Sequence, residues 1–203
     1  MITVAALYVD PRGVYSGIPG VEPWGLPDRD AREYPTEERA DDPAQAHPVV
    51  AHPPCASWGR YAKPHPTSRA RGPLLGDDGG CFASALASVK CFGGVLEHPR
   101  DSKAWARFGL LTPTPGGGWT QRPGEGWVCE VDQGHYGHAA RKPTWLYYIG
   151  PTPPDLVWGP SSPPPIGSGA RRGNLESLSK RQRAATPRPF ADLLVSLARL
   201  SLE

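Results

Sequence analysis

The chain has 203 residues, room for one medium domain or two very small ones. Its hydrophobic fraction is 38%, and 24 glycines with 26 prolines make up about a quarter of it, so a core has to come from a minority of segments joined by long irregular connections. A net charge of +2 excludes a chain-wide basic surface, and any contact with nucleic acid has to use a local patch.

Four cysteines, Cys55, Cys81, Cys91 and Cys129, show no Cys-x-x-Cys spacing, which reads most simply as a reduced intracellular protein. A basic-then-apolar leader is missing, and no apolar run approaches the length of a membrane span. A cytoplasmic location without membrane contact is therefore expected.

Residues 2–9, "ITVAALYV", are almost wholly apolar, as a strand covered on both faces would be. Asp10-Pro11 ends the run, and a glycine- and proline-punctuated stretch follows. Residues 28–46 are charged and helix-permissive at best, and "EERADDPAQA", 37–46, reads as a solvated surface segment. Residues 48–52 form a second buried strand, which ends in "HPPC". Residues 59–80 have few apolar anchors and read as a long mobile loop, the kind that is usually functional or disordered. "GCFASALASVKCF", 80–92, carries small and apolar residues at helical spacing. "GGVLEHP", 93–99, is a third strand with Glu97 near its carboxyl end. "SKAWARFGLL", 102–111, is a short amphipathic helix with Ser102 as N-cap.

After Gly/Pro turns at 112–126, "WVCEVD", 127–132, alternates as an edge or hairpin strand would. "PTWLYYIG", 143–150, is a strong strand, and 151–174 is a Pro/Gly/Ser linker. "TPRPFADLLVSLARLSL", 186–202, is the clearest helix, with prolines in its first turn and Phe190, Leu193, Leu194, Leu197 and Leu200 on one face. Strands alternating with helices predict one α/β domain over 1–203, with a mostly parallel sheet, flanking helices, many irregular loops and a working face at the carboxyl ends of the strands.

Three places along the chain then converge on one crevice. The strand at 48–52 delivers Cys55, the strand at 93–97 delivers Glu97 and His98, and the loop before 143–150 delivers His135, His138, Arg141 and Lys142. A thiol and a carboxyl group in one polar crevice suit covalent chemistry on a heterocycle: the thiolate adds to an electron-poor ring carbon while the carboxyl group holds a ring nitrogen. Cations beside the thiol would favour its thiolate. Cys81, Cys91 and Cys129 read instead as small buried hydrophobes. His52 lies three residues before Cys55, but no zinc-type spacing accompanies it, so no metal is expected.

These stretches resemble the DNA cytosine carbon-5 methyltransferases. Pro53-Pro54-Cys55, followed by a loop with Ser57, resembles that family's Pro-Pro-Cys-Gln...Ser motif. "ASVKCFGGVLEHP" resembles its helix, strand and Glu-Asn-Val motif, with His98 in place of the asparagine. "DQGHYGHAARKPTWLYYIG" resembles its Gln-x-Arg-x-Arg strand motif, with Ala140, Lys142 and Thr144 at the three named positions. "ATPRPFADLLVSLARL" resembles its closing segment and last helix. The arrangement is similar to short methyltransferase-like proteins common in phages and prophages.

The resemblance implies a reduced Rossmann-like, methyltransferase-type fold and a base-flipping enzyme of bacterial or phage-infected cells. Cys55 would be the nucleophile at carbon 6 and Glu97 the contact to ring nitrogen 3 and the exocyclic amino group, with Lys142 and Ser57 in the catalytic set. S-adenosylmethionine would be held by Asp10, Gly13, Gly17, Gly20 and Pro53, with Asp28 or Asp30 on the ribose hydroxyls. Arg60, His98, Arg141, Arg171 and Arg172 would contact substrate or DNA. The large target-recognition domain of the family is replaced by the linker at 151–174, so the substrate is DNA modified with low or partner-supplied specificity, or a pyrimidine nucleotide. Two alternatives stay open: the same covalent chemistry with another donor, such as a folate one-carbon unit, and a non-catalytic protein that binds DNA or a partner.

Overall fold

A computed structural model of the protein describes residues 3–36, 47–69, 72–165 and 178–202, so the 37–46 segment read as solvated lies outside the described residues. Seven strands form one mixed sheet: β1 (Val4–Leu7), β2 (Val21–Trp24), β3 (Val49–Ala51), β4 (Gly94–Pro99), β5 (Thr120–Gln121), β6 (Trp127–Asp132) and β7 (Pro143–Ile149). Their spatial order is β2-β1-β3-β4-β7-β6-β5. Four helices accompany them: α1 (Cys81–Phe92), α2 (Lys103–Arg107), α3 (Lys180–Ala184) and α4 (Arg188–Leu200).

The apolar runs at 4–7, 49–51 and 94–96 are continuous because both faces of the sheet are covered. Successive strand residues point to opposite faces. Ala5, Leu7, Val49, Ala51 and Leu96 pack with Phe82, Ala85, Leu86 and Val89 of α1 and with Trp105 of α2. Val4, Ala6, Val50, Val95, Leu146 and Tyr148 pack with Phe190, Leu194 and Leu197 of α4 on the other side. The buried stripe of α4 also takes in Ala191, Val195 and Ala198, which leaves Leu193 and Leu200 on its half-buried flanks. Gly94 lets β3 and β4 approach: its φ is 105°, and a Cβ there would lie 2.1 Å from the Val49 carbonyl oxygen.

The structure corrects several of these expectations. The sheet is mixed, not mostly parallel: β2, β1, β3 and β4 run together, while β7 is antiparallel to β4 and to β6, and β5 is antiparallel to β6. Of the two readings of 127–132, edge or hairpin strand, the hairpin holds: β5, hidden among the Gly/Pro turns, pairs with it antiparallel and takes the edge. β2 also went unread, because its residues are interrupted by Pro23 and none is fully buried. Among the three cysteines read as buried, only Cys129 is; Cys81 is half-buried and Cys91 exposed.

The loop after Cys55 is fastened back on itself. Lys63 N–H donates to the Pro73 carbonyl and Leu75 N–H to the Lys63 carbonyl, both at 2.7 Å, and Gly76 N–H reaches the Ser57 carbonyl at 3.0 Å. Among the described residues, no helix is long and apolar enough to cross a membrane.

Candidate functional site

From β1 the chain passes to β2 on one side and returns to β3 on the other. Where parallel strands diverge in this way, their carboxyl ends leave a crevice. A cavity of about 660 Å³ opens there. The end of β1 brings Tyr8, Asp10 and Gly13, the end of β3 brings His52 and Cys55, and β4 brings Glu97. Lys142 joins them because β7 is antiparallel, which puts its amino end at the edge where the parallel strands finish. Arg181 and Arg183 of α3 complete the wall. Tyr8 holds a left-handed backbone, φ 61°, a conformation that bulky residues adopt only where the surroundings impose it.

A line of hydrogen bonds crosses this edge. The Tyr15 hydroxyl meets His52 Nε2 at 2.6 Å, and His52 Nδ1 meets Glu97 Oε2 at 2.9 Å. Glu97 Oε1 accepts from Gln133 Nε2 at 3.1 Å, and the same amide donates to Thr144 Oγ1 at 2.9 Å. Burial by itself would raise the Glu97 pKa. The hydrogen bond and charge of His52, with Lys142 and His98, outweigh that and hold it at about 2. Glu97 is therefore a carboxylate held in one orientation, and each of its oxygens keeps a free lone pair for a ligand.

Cys55 is reached by solvent from the cavity. Its surroundings nonetheless push the thiol up, first by burial and then by the Glu97 charge, while Lys142 pulls the other way. Burial lowers Lys142, opposed by Glu97 and Cys55. Lys142 Nζ is anchored on the Ala185 carbonyl at 3.1 Å. Cys55, Glu97 and Lys142 thus form one electrostatically coupled group drawn from three strands.

Asp10, Gly13 and Pro53 line the same cavity. A Cβ on Gly13 would meet the Asp10 carbonyl oxygen at 3.0 Å, so the turn after β1 is tight there. Gly17, Gly20 and Asp30 do not line it. The Gly17 carbonyl accepts from Arg188 and ties the first turn to α4. Gly20 sits at the amino end of the strands, where its carbonyl accepts from Thr3 and Val4 N–H. Asp30 caps the 3-10 turn Ala31–Glu33 and pairs with Arg32. Asp28 is exposed and lies off the wall.

Ser57 is buried, and its hydroxyl donates to the Asp77 carbonyl at 2.6 Å, clamping the loop. Arg141 Nε donates to the Ser161 carbonyl at 2.8 Å and fastens the following segment. His138 is buried against the Ala140 carbonyl, and His135 contacts the Gly159 carbonyl. Arg171 and Arg172 lie outside the described residues. His98 points away from Glu97, as its neighbour in a strand must. It stacks on Trp105 and meets the edge of Phe82 on the α1 side. Burial pushes its pKa down to about 4. The Pro53 and Pro54 carbonyls favour its charged form but do not reach hydrogen-bond geometry.

A second cavity, of about 750 Å³, lies on that side and contains His98, Arg60, Tyr61 and Arg100. Cys55, Pro99 and Pro143 belong to the walls of both cavities.

Sequence reasoning missed Tyr15, Gln133, Arg181 and Arg183, and considered His52 only as a metal ligand. For α3 a signal existed: Ser179 and Gln182 form a capping box ahead of a basic run. For Tyr15 and Gln133 there was none, since each is an isolated polar residue that long-range packing brings to Glu97. A search for similar proteins finds no family model that matches the chain and no curated protein similar to it.

Proposed function

We propose that the protein is a pyrimidine carbon-5 transferase that works through a covalent Cys55 adduct, most simply an S-adenosylmethionine-dependent DNA cytosine methyltransferase of reduced size. One observation carries this reading: Cys55, Glu97 and Lys142 meet in a single cavity at the strand switch point. The parallel half of the sheet, β2-β1-β3-β4, follows a doubly wound order and supports a Rossmann-like, methyltransferase-type fold.

Cys55, as thiolate, would form the bond to carbon 6, while the ring's double-bond electrons move to carbon 5 and onward into the ring. Lys142 is the cation that favours the thiolate. Ionised Glu97 accepts from the exocyclic amino group and fixes the ring. A proton for ring nitrogen 3 has to arrive at Glu97 first, and His52 Nδ1 is the donor in contact with it. Once carbon 5 has taken the transferred group, its proton would pass to solvent water, the electron pair left behind would re-form the carbon 5–carbon 6 double bond, and Cys55 would leave as thiolate. S-adenosylmethionine, when bound, supplies an electrophilic methyl group. Asp10, Gly13 and Pro53 would hold it, and the tight turn at Gly13 beside an acidic residue fits a ligand with hydroxyl and amino donors.

The test is expression of wild type and Cys55→Ala in bacteria, with mass spectrometry of nucleosides and nucleotide pools. A new Cys55-dependent mass on cytosine or uracil is expected and would name the transferred group. The same new mass from Cys55→Ala would sink the covalent mechanism. No new mass from either protein would favour a non-catalytic binder.

A further inference from the structure

The second cavity has no part in the reaction just described, yet it shares Cys55 with the first. Tyr61, which lines this cavity, is 67% exposed as a residue, and the Arg60 guanidinium lies over its ring, 4.8 Å from the ring centre. An Arg60 nitrogen also donates to the Tyr61 hydroxyl at 2.9 Å, so the ring and the cation are held together as one pair. Arg60 has no carboxylate partner among the described residues. Arg100 also lines this cavity, 3.6 Å from Asp101 and from Glu130. Asp101 holds a left-handed backbone, φ 65°. Tyr8 and Asp101 are the two non-glycine residues in that conformation among the described ones, and each lines one of the two cavities.

A polynucleotide strand with one base in each cavity would carry two planar groups joined by a short anionic link. Each cavity is flanked by cations, Lys142, Arg181 and Arg183 in one and Arg60 and Arg100 in the other, and the wall between them is narrow enough for three residues to belong to both. We infer that the second cavity receives the base next to the target, stacked on Tyr61, and that the substrate is therefore an unpaired polynucleotide strand and not a free nucleotide. The inference rests on Cys55 as the reacting group of the first cavity. Aromatic stacking with a cationic partner is how proteins hold single strands without reading sequence.

The experiment uses the full chain carrying Cys55→Ala, so that covalent capture cannot contribute, and a fluorescein-labelled hexadeoxycytidylate read by anisotropy. The dinucleotide is expected to compete at least tenfold better than the mononucleotide, and Tyr61→Ala is expected to weaken hexamer binding about tenfold. Arg60→Ala should reduce the slope of log affinity against log salt by about 0.7. Both side chains are exposed, so the fold is retained. Equal competition by mononucleotide and dinucleotide would overturn the inference, as would full affinity in Tyr61→Ala. Equally tight binding of a duplex would overturn the requirement for an unpaired strand. If the strand binds through Tyr61 but the wild type modifies no base, this site stands and the transferase reading fails.

Discussion

Replacing Glu97 by glutamine removes one charge from the buried line Tyr15–His52–Glu97–Gln133 and leaves its shape nearly unchanged. In the folded protein the Glu97 carboxyl titrates at about 2, against an ordinary 4.5. The lower folded-state value means that the carboxylate contributes stability above the unfolded pKa, and that this is lost as pH falls toward the folded one. The gap corresponds to about 3 kcal/mol at neutral pH. Glutamine does not titrate, so the difference in unfolding free energy between wild type and Glu97→Gln should shrink by about 2 kcal/mol between pH 6 and pH 3. Other carboxyl groups titrate in both proteins and cancel. The site has a way to receive the amide: the Gln133 carbonyl oxygen has no partner among the described residues, and turning that amide over lets it accept from the new donor while Thr144 donates in place of accepting. Urea titrations followed by tryptophan fluorescence, with Trp105 and Trp145 buried as reporters, give the difference at each pH. A difference that stays constant from pH 6 to pH 3 would refute the claim that its surroundings hold Glu97 ionised below the ordinary carboxylate range.

Three further outcomes are expected. Arg181→Ala with Arg183→Ala should lower the magnitude of the salt slope of single-strand binding by about 1.4, one phosphate for each arginine, and an unchanged slope would remove α3 from the interface. Phe190→Ala, at a fully buried position under the sheet, should cost about 3–5 kcal/mol in denaturant unfolding, and a loss below about 1 kcal/mol would show that α4 does not seal that face. Gly94→Ala should yield little soluble protein or a strongly lowered melting temperature, because its Cβ would lie 2.1 Å from the Val49 carbonyl oxygen; near wild-type melting would contradict the close approach of β3 and β4.

Much of the scaffold was readable in the chain. The apolar runs at 4–7, 49–51 and 94–96 mark strands because both faces of the sheet are covered, and the helical spacing at 81–92 and 188–200 marks helices because each buries one stripe. Ser102 was legible as an N-cap because a cap is a local bond; its side chain accepts from Ala104 N–H. β2 and β5 left no such trace. One is half-exposed and contains a proline, and the other is two residues long.

For the site, local sequence determined that Cys55 follows a stiff Pro-Pro step at a strand end, that Glu97 sits near the end of another strand, and that Lys142 precedes a third. Whether they meet was decided by strand direction. Had β7 run parallel to β4, Lys142 would lie at the opposite edge of the sheet; its antiparallel pairing brings it to Cys55. Strand alternation likewise divides two neighbours in sequence, sending Glu97 toward one cavity and His98 toward the other. The direct partners of Glu97, His52 and Gln133, lie 45 and 36 positions away in the chain, and Tyr15 joins the line through His52, 37 positions from it. Hydrogen bonds over such separations are set by packing, which leaves no spacing to read. The chain by itself determined which groups stand at the ends of its strands, because a strand's end is a local property. Only the tertiary structure decided which ends are neighbours, because that depends on the order and direction in which the strands pair.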